Sequence, residues 1–173
     1  DILVRQLHYD VPNLTRKKLD ARGLTPFARM LDLGCGTGLA GEAMRDTVRE
    51  IIGIDIAETM VDFAEEKDVY EGLYVGEIIS FLEDNEEAPF DLVIAADVLP
   101  SLGEIEPLFK GVAAALRPQG TFAFSTEMLA TEGTYAVGPN RRFLHTETYL
   151  RDGLAAAGFE VLSMDTINVR DED

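Results

Sequence analysis

The sequence predicts an α/β domain built as a doubly wound, Rossmann-like, mostly parallel sheet with helices on both faces. Three observations carry that expectation. Short apolar runs bounded by turn residues recur at 30–33, 51–54, 73–75, 92–96 and 121–124. None alternates cleanly with polar residues, as expected of parallel strands covered on both faces. Segments of helical spacing lie between or after them, at 39–48, 59–67, 105–116 and 148–157. In the third, Ile105, Leu108, Phe109, Val112 and Leu116 fall on one stripe of a 3.6-residue period. Alternation of strand and helix with short connections is the pattern of right-handed crossovers. Finally, the first apolar run enters a glycine-rich turn that leads directly into a helix.

Taken in order, residues 1–28 form an N-terminal helical segment or lid, its apolar positions Leu3, Leu7, Leu14 and Leu19 interrupted around Asp10 and Pro12. Two helices joined at that break are expected, packed on the sheet edge or closing over the site. Residues 29–173 form the ligand-binding domain. After the third strand, "IISFLEDNEEAPF" leaves room for a turn or two of helix before Pro89. Pro118-Gln119-Gly120 is a turn by its chemistry. Residues 125–145 read as one long polar connection of the kind that carries function or mobility. A helix and a final strand at 159–169 follow. No internal repeat and no second domain are visible.

Composition narrows the partners. A chain of 173 residues is long enough for one core. Its 15 Lys and Arg against 32 Asp and Glu give a net charge of −17, which opposes nucleic acid and anionic membrane surfaces. The runs "EDNEE" and "DED" read as solvated loop and tail. The single Cys35 excludes an internal disulfide and a multi-cysteine metal site, and no metal is expected. No apolar run approaches the roughly 18 residues of a membrane span, and no signal segment opens the chain. The expectation is a soluble, cytoplasmic protein.

The stretch "MLDLGCGTGLAG", residues 30–41, admits two readings. Gly36, Gly38 and Gly41 satisfy G-x-G-x-x-G, a dinucleotide pattern; Asp32, Gly34, Gly36 and Gly38 satisfy D-x-G-x-G-x-G. Asp32 argues for the second. It lies inside the first strand where the dinucleotide pattern is apolar, so its carboxylate needs a donor or a cationic ligand. The amino group of S-adenosylmethionine supplies one, with no phosphate. Asp55, ending "IIGID", is positioned for ribose hydroxyls, which either cofactor possesses. Glu77, in "YVGEI", offers an acceptor for the exocyclic amine of adenine. Each acid also has a plainer role: backbone-bonded core acid, turn residue, exposed strand end.

Together "LDLGCGTG", "IIGIDIAETMVDFAEE", "FDLVIAADVL" and "ALRPQGTFAFST" resemble the class I S-adenosylmethionine-dependent methyltransferases over about residues 30–169. Within that family "LVRQLHYDVPNL", "AADVLPSLGEIEPLF" and "RRFLHTETYLRDGLAAAGFEVL" are most similar to bacterial methyltransferases associated with tetratricopeptide repeats, which implies an upstream repeat region absent from this chain. The resemblance implies a seven-stranded sheet whose last, antiparallel strand is missing or displaced here. It also implies cofactor contacts at Asp32, Gly34, Cys35, Gly36 and Gly38 for the methionine part. Asp55 would take the ribose, Ile56, Met60, Glu77 and Ile78 the adenine, and Ala96 the floor. The product would be S-adenosylhomocysteine. Ala57 departs from the family's usual capping residue.

Methyl transfer asks the protein mainly to hold an acceptor in line, with a base only where a proton must leave. "AADVLPS" lacks the Asn-Pro-Pro-Tyr motif of amide- and adenine-modifying relatives, which favours a small-molecule acceptor. His145 is the candidate catalytic base. Tyr9 and His8, with Arg141 and Arg142, are candidates to close over the acceptor, the arginine pair suiting a carboxylate or phosphate. The rival expectations are an NAD(P)-dependent oxidoreductase and a non-catalytic domain that keeps an adenosyl-cofactor cradle.

Overall fold

A computed structural model describes residues 10–166. Helix α1 (Val11–Ala21) starts where Asp10 caps it, its carboxylate accepting from the Asn13 amide at 3.2 Å. The chain then forms β1 (Phe27–Leu33), α2 (Leu39–Met44), β2 (Val48–Asp55), α3 (Glu58–Glu66), β3 (Gly72–Val75), α4 (Ile78–Glu83) and β4 (Phe90–Ala95). A 3-10 turn (Leu99–Ser101), α5 (Glu106–Ala115) and β5 (Leu116–Phe124) complete the main sheet. Its five strands run parallel in the order β3-β2-β1-β4-β5. This is the expected doubly wound arrangement.

Strand alternation sorts the core onto two faces. Leu31 and Leu33 of β1, with Ile52 and Ile54 of β2, point toward α4, α5 and the last helix, α6 (Glu147–Ala156), where Phe109 packs on Phe122 and Phe124. Met30 and Ile51 point the other way, against Leu19 of α1 and Met44 of α2. Asp32 shares Met30's parity and so enters the α1–α2 side. Arg16 fastens α1 to the end of α2 remote from the glycine turn, donating to the Ala43 carbonyl at 2.9 Å and pairing with Asp46. The described part of the N-terminal segment is therefore packed on a face of the sheet. Residues 1–9, which hold the first expected helix, His8 and Tyr9, lie outside the described residues.

Three expectations are corrected. Pro118-Gln119-Gly120 is not a turn between helix and strand but lies inside β5. Gln119 takes φ +68°, and the β4–β5 register slips between Phe90↔Leu116 and Leu92↔Thr121, so the turn chemistry appears as a bulge inside β5. Residues 125–145 are not one loop: β6 (Glu127–Met128), β7 (Tyr135–Val137) and β8 (Phe143–His145) form a second sheet in the order β6-β8-β7. Helix α6 (Glu147–Ala156) follows, but residues 159–166 hold no strand and 167–169 lie outside the described residues. Thr146 caps α6 by accepting from the Tyr149 amide at 3.1 Å and donating to the Gly133 carbonyl at 2.8 Å. Thr146→Ala is expected to cost about 1 kcal/mol in urea unfolding, as loss of a side-chain cap does.

Candidate functional site

Strand order reverses direction between β1 and β4, and in open α/β sheets the crevice beyond the carboxyl ends at such a point receives ligands. The turn from β1 to α2 lies there. Gly34, Gly36 and Gly38 adopt φ of +63°, +53° and +96°, which L side chains rarely adopt. A Cβ on Gly34 would meet Val98 at 2.9 Å, whereas one on Gly36 would meet nothing within 4 Å, so the turn is braced beneath Gly34 and open at Gly36. Asp55 ties this turn to the next strand. One oxygen accepts from the Gly36 amide and the other from the Ala57 amide, both at 2.9 Å. Four lone-pair directions on a carboxylate leave two for a ligand's hydroxyls. Ala57 itself gives α3 no side-chain cap; Asp55 accepts from the amide of this N-cap residue and leaves the helix's own first-turn amides uncapped by a side chain. Beside it Ile56 is 72% exposed and Met60 38%, an apolar pair left open to solvent at the end of β2.

Asp32 is 1% exposed. Burial pushes its carboxyl up to about 7, opposed by a 2.6 Å hydrogen bond from the Tyr70 hydroxyl and by the Gly41 amide, while Asp55 adds repulsion. The Cys35 thiol, buried in the turn, is pushed up to about 12 by desolvation and by the negative potential of Asp32 and Asp55. No Lys or Arg is paired with either acid among the described residues. The turn is thus electronegative. It suits a cationic ligand and opposes a pyrophosphate. The third glycine of the dinucleotide pattern has another explanation: a Cβ on Gly41 would lie 2.5 Å from the Tyr70 ring and hydroxyl. Gly41 is small because Tyr70 occupies that space.

At β3, Glu77 is the N-cap of α4, accepting from the Ile79 amide at 2.9 Å and from the Ser80 amide and hydroxyl at 2.8 and 3.0 Å. Those amides hold its carboxyl below the usual range. Ile78 packs against the α5 side of the core, and the carbonyl of Ala96, just past β4, accepts from the Ser125 hydroxyl.

A family model described as a methyltransferase domain matches residues 31–124, from the middle of β1 to the end of β5. The chain belongs to this methyltransferase domain family. It is 33% identical over 101 residues to a ubiquinone biosynthesis O-methyltransferase of Idiomarina loihiensis, covering 57% of this chain and 42% of that protein. The chain therefore spans less than half the length of that relative. Among solved structures it resembles magnesium protoporphyrin IX methyltransferase (ChlM) from Synechocystis PCC 6803 with bound SAM. That likeness has a TM-score of 0.75 and 21% identity, over 96% of this chain and 76% of the other. It also resembles the [4+2]-cyclase SpnF at a TM-score of 0.67 and 22% identity, over 87% and 59% of the two chains. These structural likenesses describe the fold.

Past β4, the structure treats the residues expected to meet an acceptor differently. His145, in β8, is 0% exposed and engaged at both ring nitrogens. Nε2 faces the Leu102 and Gly103 carbonyls at 2.7 and 3.2 Å, and Nδ1 faces the Thr126 hydroxyl at 2.7 Å. A carbonyl can only accept, so Nε2 carries the proton and Nδ1 accepts from Thr126. Desolvation lowers the imidazole's pKa, and no nitrogen remains open to an acceptor. His145→Ala is expected to lower stability by about 1–3 kcal/mol in urea unfolding, because it empties a fully buried position and strips the donor from two partly buried carbonyls. Arg142 is engaged too, donating to Asp97 and Glu127 at 2.6 Å each. Arg141 is exposed at φ +63°. Tyr9 is outside the described residues. Sequence reasoning missed Asp97, two residues past β4, and Tyr70. A signal for Tyr70 existed in two glycines, Gly41 and Gly53, at positions where a core would otherwise carry side chains.

Among the described residues no helix is long and apolar enough to cross a membrane, and no group of three or more His, Cys, Asp or Glu is arranged to hold a metal ion.

Proposed function

We propose that the domain binds S-adenosylmethionine across the carboxyl ends of β1 and β2 and transfers its methyl group to a small-molecule acceptor. The observation that carries this reading is the electronegative glycine turn. Two unpaired carboxylates beside open backbone fit a ligand that brings an ammonium and a sulfonium, and fit poorly a dinucleotide that brings two phosphates. Bound there, the cofactor supplies a methyl group already activated on sulfur.

The chain's own residues do the rest. Gly34, Cys35, Gly36 and Gly38 shape the backbone around the methionine part, and Asp32 supplies negative charge beneath it. Asp55 offers its two remaining acceptor directions to the ribose hydroxyls. Ile56 and Met60 give the adenine an apolar surface that is otherwise left in water. Glu77 and the Ile78 amide meet the adenine edge, and Ala96 forms the floor next to the acceptor. His145 holds the second sheet against the segment at Leu102 and Gly103, and Arg142 orders Asp97 at the rim. Orientation of the acceptor, rather than a dedicated base, is then the main contribution to rate.

A small acceptor is supported by the net charge of −17, which disfavours nucleic acid, and by the name of the ubiquinone biosynthesis O-methyltransferase relative. A cytoplasmic site of action and an upstream tetratricopeptide-repeat region belong to the same proposal and rest on the sequence features described above. The fold alone does not fix the chemistry, since one structural neighbour is a cyclase. The deciding assay follows S-adenosylhomocysteine release when phenols, aromatic acids and tetrapyrrole carboxylates are added with S-adenosylmethionine. Acceptor-dependent release is expected. Cofactor binding with no turnover on any acceptor would instead support the non-catalytic reading.

A further inference from the structure

Tyr70 lies in the connection between α3 and β3, outside every motif that suggested a function. Its environment is unusual for a loop residue. The ring occupies a slot whose walls are glycines from three separate places: Gly38 at the start of α2, Gly41 inside α2 and Gly53 in β2. A Cβ on these residues would lie 3.2, 2.5 and 2.8 Å from Tyr70 atoms. The slot delivers the hydroxyl to the Asp32 carboxylate, 2.6 Å away. Burying an ionisable carboxylate is costly, and a purely structural core would use an apolar residue at this position of β1.

We propose that Tyr70 is a positioning residue for the cofactor's cationic end, holding Asp32 as a charged acceptor beneath the glycine turn. The inference rests on the S-adenosylmethionine reading above. Hydrogen bonding to the charged form of a carboxylate favours that form. The groups facing Asp32 are few: Tyr70 from the α3–β3 connection, the Gly41 amide from α2, Asp55 from the end of β2 and Cys35 from the turn. Asp55 repels, and Cys35 stays a neutral thiol, so the Tyr70 hydroxyl and the Gly41 amide are what keep Asp32 ionisable near neutral pH.

Tyr70→Phe tests this, because phenylalanine fills the same slot and removes only the hydroxyl. Affinity for S-adenosylmethionine is measured by calorimetry from pH 6.5 to 9 in the wild type and the variant. The ratio of the two affinities cancels the ligand's own titration. At pH 7 the variant is expected to bind about tenfold more weakly, since a hydrogen bond to a charged group is worth at least that factor. The ratio should close as pH rises and Asp32 ionises without help. In an Asp32→Asn background the same change should make little further difference.

A cofactor-free reading accompanies it: urea unfolding should show Tyr70→Phe more destabilising at pH 8 than at pH 5, and this pH dependence should vanish with Asp32→Asn. A pH-independent loss of affinity, or none, overturns the role of Tyr70 alone. Stability coupling without any S-adenosylmethionine binding by the wild type overturns the cofactor reading, and Tyr70's role with it.

Discussion

Asp55→Ala is expected to weaken S-adenosylmethionine binding at least tenfold while leaving the protein folded. The carboxylate does two things at once in the structure, accepting from Gly36 and Ala57 and leaving two lone-pair directions free. Its loss removes the ribose acceptors and also releases the glycine turn from β2, so part of the penalty is loss of preorganisation. Asp55→Asn separates the two. An asparagine retains one carbonyl acceptor, so it should recover part of the turn's order but little of the affinity. Calorimetric titration of both variants checks this. Unchanged affinity in Asp55→Ala would remove the residue from the ribose role.

Asp32→Asn should make the protein more stable and worse at binding. The folded-state carboxyl sits at about 7, against an ordinary value of 3.8. Between those values the folded protein holds more protons than the unfolded chain, so Asp32's contribution to stability falls as pH rises through that window. Below about pH 4 the acid is neutral in both states and the penalty is absent. Asparagine is neutral throughout. The difference between variant and wild-type stability should therefore grow from pH 4 to pH 8 and then level off, with an upper bound of about 4 kcal/mol. Titrating groups remote from Asp32, His145 included, cancel in that difference. S-adenosylmethionine affinity should fall at the same time, the trade-off expected where a costly group is retained for function. Urea unfolding of the cofactor-free proteins at pH 5 and pH 8 provides the test. Destabilisation by Asp32→Asn at pH 8 would mean that the carboxylate serves the fold.

The main sheet was legible because each of its strands contains a short, mostly apolar run without polar alternation, and runs such as 51–54 and 92–95 need both faces covered wherever they are placed. The second sheet was not legible. Its strands are two or three residues long, β7 is exposed throughout, and such segments are too short to carry a period of two. Pro118-Gln119-Gly120 shows local turn chemistry absorbed by a strand, with Gln119 taking the left-handed conformation while β5 continues on either side. Around the glycine turn, Asp32 and Asp55 could be singled out because a carboxylate at a strand's interior or end is conspicuous. Tyr70 was not, because its one trace in the sequence is the glycines of its slot, which are separated along the chain and meet only on folding. His145 was ambiguous for a related reason: a histidine before a helix looks open until the carbonyls of Leu102 and Gly103, some forty residues earlier, are brought against it.

The most direct test of the central claim is parallel calorimetric titration of the protein with S-adenosylmethionine, S-adenosylhomocysteine and NAD. The electronegative turn is expected to give micromolar binding of the two adenosyl ligands and none of NAD. Preferential binding of NAD would contradict it, and would mean that the glycine turn accepts phosphate despite Asp32 and Asp55.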